Sequence, residues 1–355
     1  MNERSDTQAA LTAVEYYLPD AVLTNEDISQ GAPDWDPAKI LAKTGIRQRH
    51  TAAPEQTAGD LAFVAARRLF DSSACRPEDV DLLVLCTQTP DYALPTTACH
   101  LQHRLGIPTT CAAFDFNLGC SGFVYGLGIV KGMVEAGLAH KAILITSETY
   151  SKWLAPDDRG TRTIFGDGAA ASLVEAVPSP RGQEFIGPFV FGTDGKGFDR
   201  LIVHGSGART TPPPEAKPLP TGHPPDRLYM DGPEIFAFTI RTVPDNVQRL
   251  LGKAGMAVGD FDLFVFHQAN AYMMEHLRKR MSIPPERFVV DLEESGNTVS
   301  STIPIALANA VRAGRLHEGM SVAIVGFGVG YSWASARIVW QGRSAQEPLA
   351  RGANG

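Results

Sequence analysis

Pro77-Glu78-Asp79-Val80-Asp81-Leu82-Leu83-Val84-Leu85 has an echo far downstream in Val258-Gly259-Asp260-Phe261-Asp262-Leu263-Phe264-Val265-Phe266. Each stretch is an acidic turn, an apolar run of strand type and a polar turn that opens a helix. Thr87-Gln88-Thr89 follows the first run and His267-Gln268-Ala269 the second. A short apolar run bounded by turn signals and succeeded by a helical pattern is one unit of a parallel sheet. Its recurrence reads as an internal duplication. Each copy then places its strand-end turn at the same edge of its sheet, which is where α/β proteins hold ligands.

Working outward, further buried strands are predicted at Cys111 to Phe116, Lys141 to Thr146, Arg287 to Asp291 and Ser321 to Phe327. Helical patterns separate them at Ala58 to Phe70, Thr97 to Leu105, Ser121 to Ala136, Pro233 to Ala254, Ala271 to Arg280 and Ile303 to Ala313. Strands alternating with helices predict an α/β protein of two halves, 9–180 and 228–340. The segment 181–227 reads as their connection. Its stretch Gly205 to Arg227 includes Pro212-Pro213-Pro214 and Pro224-Pro225, which suit neither a helix nor a central strand. Residues 341–355 read as a loose tail.

With 355 residues, 44% of them hydrophobic and a formal net charge of -7, the chain has ordinary globular composition and no dense basic tract. Nucleic acid is therefore not an expected partner. The N-terminus lacks the basic-then-apolar pattern of a signal peptide, and no apolar run approaches the ~20 residues of a membrane span, so a cytoplasmic protein that does not engage membranes is expected. Cys75, Cys86, Cys99, Cys111 and Cys120 are odd in number and sit mostly in apolar segments, which suits reduced thiols better than a disulfide framework.

Cys120 is the chemically interesting one. In Asp115-Phe116-Asn117-Leu118-Gly119-Cys120-Ser121-Gly122-Phe123 it stands at a turn from a buried strand into a helix. The helix dipole and free amides there are expected to lower its pKa and to receive an oxyanion. A small residue filling a tight turn is the competing reading. His267 ends an apolar strand, where a histidine is more often structural, but it occupies the site-facing edge of the second copy. Asn297, in Glu294-Ser295-Gly296-Asn297-Thr298, is by itself an ordinary turn former. Gly326-Phe327-Gly328-Val329-Gly330 is followed by a strand-like Tyr331 to Val339 rather than the helix a dinucleotide loop needs, so it reads as a hairpin whose glycines admit close approach. Cys99, His100 and His103 lack the second ligand cluster of a zinc site, and no metal is expected.

Taken together, these motifs resemble the β-ketoacyl-acyl carrier protein synthase III family of thiolase-fold enzymes, over nearly the whole chain. Thr44-Gly45-Ile46-Arg47 and Asp158-Arg159-Gly160-Thr161 followed by Ile164-Phe165-Gly166-Asp167-Gly168 add to the likeness. The resemblance implies a thiolase-like fold of five layers, α-β-α-β-α, and a Cys120-His267-Asn297 triad for decarboxylative condensation of an acyl thioester with a malonyl thioester. Cys120 would carry the acyl group. The backbone amides of Cys120 and Val329 would hold one oxyanion, and His267 and Asn297 would hold the malonyl enolate.

The likeness also implies a pantetheine tunnel lined by Gly232, Phe236 and Asn270, with Arg159 and Lys43 toward the nucleotide. It implies no resident cofactor, because coenzyme A or phosphopantetheine arrives with the substrate. Acyl-CoA or acyl carrier protein donors, a malonyl extender and a homodimer follow in the same way.

Lys43 stands where housekeeping relatives carry arginine, Tyr272 replaces a basic residue, and Val329 interrupts a glycine triplet. Leu94 takes the place of a larger aromatic at the acyl-pocket end supplied by the dimer partner, which suggests a primer other than plain acetyl. Arg278, Lys279 and Arg280 suit either a carrier-protein patch or a solvated helix face. Competing functions are transfer of the acyl group to a hydroxyl or amine, and a non-catalytic partner subunit; the retained triad and nucleophile weigh against each.

Overall fold

The acidic turn in front of each apolar run fixes that run in its sheet. Asp81 accepts hydrogen bonds from the backbone N–H groups of His140 (2.7 Å) and Lys141 (3.0 Å), while Asp262 accepts one from Ser321 (2.8 Å). In both halves the carboxylate therefore pins the start of the neighbouring parallel strand. A 3-10 turn precedes each, at Pro77–Asp79 and Val258–Asp260.

The computed structural model describes residues 7–30, 35–72, 75–179, 183–209 and 211–342. The first half contributes β1 (Thr7–Tyr17), β2 (Leu82–Cys86), β3 (Ala112–Phe116), β4 (Lys141–Glu148) and β5 (Gly168–Pro178). The second contributes β6 (Ile186–Thr193), β7 (Leu263–Phe266), β8 (Phe288–Val289), β9 (Ser321–Gly328) and β10 (Ser332–Val339). Sheet order is β1-β5-β4-β2-β3 in one and β6-β10-β9-β7-β8 in the other, so every strand has a counterpart at the same place. Strand directions match too: β2 is parallel to β3 and β4, and β7 to β8 and β9, while the remaining pairs are antiparallel.

Helices repeat the pattern. The first half has α1 (Ala58–Ser72), α2 (Thr97–Arg104) and α3 (Gly122–Glu135), and the second α4 (Gly232–Ala254), α5 (Ala271–Arg280) and α6 (Thr302–Arg312). α1 and α2 pack on the outer face of the first sheet through Leu61, Leu69, Leu101, Leu83 and Ile143. α4 and α5 cover the second through Val247, Leu250, Met274, Phe264 and Val325. Between the sheets, Phe123 and Val130 of α3 and Ile303 and Leu307 of α6 share one core with Val84, Leu144, Val265 and Ile324. That is the five-layer arrangement. Both middle helices are apolar over most of their length because both sheets press on them, with Lys131, Glu135 and Arg312 falling near their C-terminal ends.

Three differences from the sequence reading have physical causes. The segment 181–227, expected to be a connection only, contains β6, the outer strand of the second sheet; Gly187 and Pro188 mask it in sequence, and an edge position tolerates the proline. β1 and β5 went unpredicted: β5 is alanine-rich and poor in local strand preference, while in β1 the strand formers Val14, Tyr16 and Tyr17 are preceded by the alanine pair Ala9-Ala10. Phe288–Val289 is a two-residue strand rather than a longer one. The expected tail lies almost wholly outside the described residues. No described helix is long and apolar enough to cross a membrane.

Candidate active site

Cys120 lies in the turn between β3 and α3, two residues before the helix begins. Gly328, the last residue of β9, passes so close that a Cβ there would meet Cys120 Sγ and Cβ at 2.9 Å. Gly326 meets the same turn, with Ser121 Cα at 2.7 Å from the position of a Cβ. The strand edge of the second half therefore presses directly on the nucleophile turn of the first. β9 and β10 form the predicted hairpin, with Gly328 paired to Ser332.

One cavity of about 410 Å³ brings Cys120, His267 and Asn297 together. The three come from the turn before α3, the end of β7 and the loop before α6. Asn297 is oriented by its own backbone neighbourhood: the N–H of Val299 donates to its Oδ1 at 2.9 Å, which leaves the Nδ2 amide beside His267 Nε2 at 3.4 Å. His267 Nδ1 lies 2.7 Å from Thr302 Oγ1, and that hydroxyl also reaches the Val299 carbonyl at 3.1 Å. The hydroxyl has one proton: donated to the Val299 carbonyl it accepts from Nδ1–H, and turned to Nδ1 it leaves the ring proton on Nε2.

Burial governs the electrostatics. It drives the His267 pKa down to about 3, leaving a neutral imidazole that hydrogen-bonds without carrying charge. The expectation of a lowered Cys120 pKa is overturned: desolvation, then the nearby Glu148 carboxyl, push the thiol up to about 12, against the opposing N–H groups of Cys120 and Val329. Only 4% of Cys120 is exposed, so the loss of water outweighs the two N–H groups that favour the thiolate. The same two N–H groups lie beside the Cys120 sulfur.

Glu148, at the end of β4, was missed by sequence reasoning. It accepts hydrogen bonds from the Gln88 N–H (3.0 Å) and the Ser300 hydroxyl (2.8 Å), tying the turn after β2 to the loop that carries Asn297. Desolvation raises its pKa to about 8. A carboxyl ending a strand with an apolar middle, Ala142 to Ile145, was the available signal. Thr302 offered none, since it reads as a helix start.

Gly232, Phe236, Asn270 and Lys43 line the cavity, and Tyr272 joins them, 65% exposed and stacked on Phe236 with ring centroids 5.7 Å apart. Asn270 also caps α5 by accepting from the Met273 N–H at 2.8 Å. Arg159 is not in the lining; its neighbour Gly160 is, and the Arg159 guanidinium lies 5.1 Å from the centre of the Trp35 ring. Leu94 is likewise outside its own chain's cavity, 82% exposed on the loop after β2. Leu201 and Met230, which flank the proline-rich stretch, form part of the wall. On α5, Arg278 and Lys279 both pair with Glu275, at 2.7 and 3.2 Å, and Arg280 is exposed.

Residues 114–195 match the family model described as 3-oxoacyl-[acyl-carrier-protein (ACP)] synthase III, and residues 251–340 match its C-terminal counterpart. A β-ketoacyl-[acyl-carrier-protein] synthase III of Desulfitobacterium hafniense is 38% identical over 92% of this chain and 96% of its own length. A crystal structure of a 3-oxoacyl-(acyl-carrier-protein) synthase III is 50% identical, with a TM-score of 0.89, and covers 94% of this chain and 100% of that one. A 3-oxoacyl-(acyl-carrier protein) synthase structure from Burkholderia xenovorans is 33% identical, with a TM-score of 0.86 and 94% of each chain covered. With its duplicated sheets, its buried thiol and these relatives, the chain belongs to the 3-oxoacyl-[acyl-carrier-protein] synthase III family.

Proposed function

We propose that Cys120, His267 and Asn297 carry out a decarboxylative Claisen condensation between an acyl thioester and a malonyl thioester. Cys120 Sγ attacks the acyl carbonyl, the bond from that carbon to the donor sulfur breaks, and the donor thiol leaves with the Cys120 proton. The malonyl thioester then binds with its carbonyl oxygen against His267 and the Asn297 amide. Its carbon–carboxylate bond breaks, carbon dioxide departs, and the electron pair remains as an enolate held by those two donors. The enolate carbon attacks the acyl-Cys120 carbonyl, whose oxygen is received by the Cys120 and Val329 N–H groups. Collapse releases the β-ketoacyl thioester, and the Cys120 thiolate regains a proton.

The fixed Asn297 amide carries this reading best. With its oxygen bound to Val299, its N–H group stands ready beside a neutral imidazole. Two neutral donors in a buried wall favour loss of a carboxylate, since they stabilise the enolate oxygen without offering a cation to the carboxylate that must leave. The high thiol pKa fits a nucleophile whose charge develops as it attacks, where the two backbone amides receive it.

Substrate and assembly belong to the same proposal. Coenzyme A or the phosphopantetheine of an acyl carrier protein arrives as part of each substrate, through the mouth between Phe236, Tyr272 and Lys43. The chain works as a homodimer, in which the exposed Leu94 of one copy closes the acyl pocket of the other. Because leucine leaves more room than an aromatic ring, primers longer than acetyl are accepted.

Intact-protein mass spectrometry after incubation with an acyl-thioester panel tests the reading. An acyl adduct on the wild type, absent from Cys120→Ala, together with carbon dioxide release from a malonyl thioester, is the expected result. An adduct without carbon dioxide release would point to acyl transfer instead.

A further inference from the structure

Thr239 on α4 is fully buried, borders the cavity, and its Oγ1 takes no hydrogen bond from any described group. A threonine inside a helix ordinarily satisfies its hydroxyl on the carbonyl four residues back. Here it does not. A buried polar atom left unpaired is costly, and native proteins rarely tolerate one without a use. The cavity beside it is where a partner can arrive.

The helix geometry says which part of a substrate that is. Gly232, Phe236 and Thr239 lie one and two turns apart on the cavity-lining side of α4. Along this side burial increases, from the partly exposed Gly232 and Phe236 at the mouth to Thr239 inside, about 10 Å further along the helix axis. A thioester arm that enters past Gly232 and Phe236 and presents its carbonyl to Cys120 therefore runs along this side with its sulfur end innermost. The first polar group out from that sulfur is an amide. The carboxylate of a malonyl group is the poorer match, because a donor held against it would stabilise the group that has to depart.

We infer that the Thr239 hydroxyl hydrogen-bonds the amide nearest the sulfur of the incoming thioester arm, and so selects for donors that carry this amide. The inference rests on reading the cavity as the thioester tunnel. Thr239 is a binding residue, acting before any covalent step.

The test is a matched pair of acyl donors: thioesters of N-acetylcysteamine, which keep the amide, and thioesters of 1-pentanethiol, in which methylenes replace it. The rate of Cys120 acylation is followed by intact mass for wild type, Thr239→Val and Thr239→Ser. Thr239→Val should slow acylation by the amide donor about 5- to 10-fold, the size of one neutral hydrogen bond, and leave the pentyl donor unchanged. Thr239→Ser should keep the wild-type ratio. Equal slowing with both donors would show a packing role and overturn the inference, as would no slowing with the amide donor. If wild type forms no adduct with either donor, the tunnel reading itself falls and the inference falls with it; an adduct whose rate ignores the amide sinks the Thr239 assignment alone.

Discussion

The duplicated halves place different residues at equivalent strand ends, and the contrast explains where the chemistry sits. Aligned through Asp81 and Asp262, Cys86 at the end of β2 corresponds to His267 after β7. Glu148 at the end of β4 corresponds to Gly328 at the end of β9. In the first half both positions are filled inward: Cys86 is fully buried, its thiol 3.0 Å from the Leu118 carbonyl, and Glu148 is fully buried and hydrogen-bonded. In the second half, Gly328 removes a side chain where Glu148 would be, and His267 faces the space this leaves. A site forms where one copy vacates its strand ends and the other delivers a nucleophile into the gap. The middle helices keep the older symmetry, since Cys120 precedes α3 and Asn297 precedes α6.

Removing the nucleophile should have the largest effect. Cys120→Ala is expected to lower condensation by at least about 10³-fold and to abolish the acyl adduct. Next come the enolate donors: His267→Ala and Asn297→Ala should each reduce carbon dioxide release about 10²–10³-fold while Cys120 still acylates. The equivalent change in the other half, Cys86→Ala, should leave turnover within about threefold and cost roughly 1 kcal/mol of stability, measured by denaturant unfolding. A Cys86 loss as large as that of His267 would break the comparison between halves.

Filling the vacated position is milder. Gly328→Ala places a methyl 2.9 Å from Cys120 Sγ and should slow acylation about tenfold, a cost in the range of local overpacking. Wild-type acylation in this variant would mean that the hairpin gives way and the gap needs no glycine.

The smallest effect is on stability and its pH dependence. Glu148 has a folded-state pKa raised from 4.5 to about 8, so the folded protein keeps a proton that the unfolded chain releases between those values. Its contribution is complete below about 4.5 and declines as pH rises through 8. Glu148→Gln should flatten the fall of the unfolding temperature between pH 5 and 9, by a few degrees. An unchanged slope would mean that another group carries it.

Much of this was legible in the chain. The repeated acidic turn and apolar run located β2 and β7, and the helices between them followed from periodicity to within a residue or two. Cys120, His267 and Asn297 were each ambiguous alone and became a set through family resemblance and their places in the duplication; the structure gathers them in one cavity. What escaped depends on packing. β5 is a strand because the sheet recruits it, not because alanine prefers extended backbone. The Cys120 pKa rises where a local reading expects a fall, since the helix start is visible in sequence while the burial comes from β9 crossing the turn. Glu148, Thr239 and Thr302 lie far in sequence from what they serve or border.

The core shared by α3 and α6 has a consequence for how the chain matures. While the ribosome is still extending the second half, the first has Val84 and Leu144 lining a sheet face that only later elements finish covering, and β1 waits for α6 across the same layer. The two copies are thus expected to depend on each other to fold. Cut within the exposed proline-rich stretch, they should regain structure only when mixed, and each fragment alone should be a ready client for chaperones.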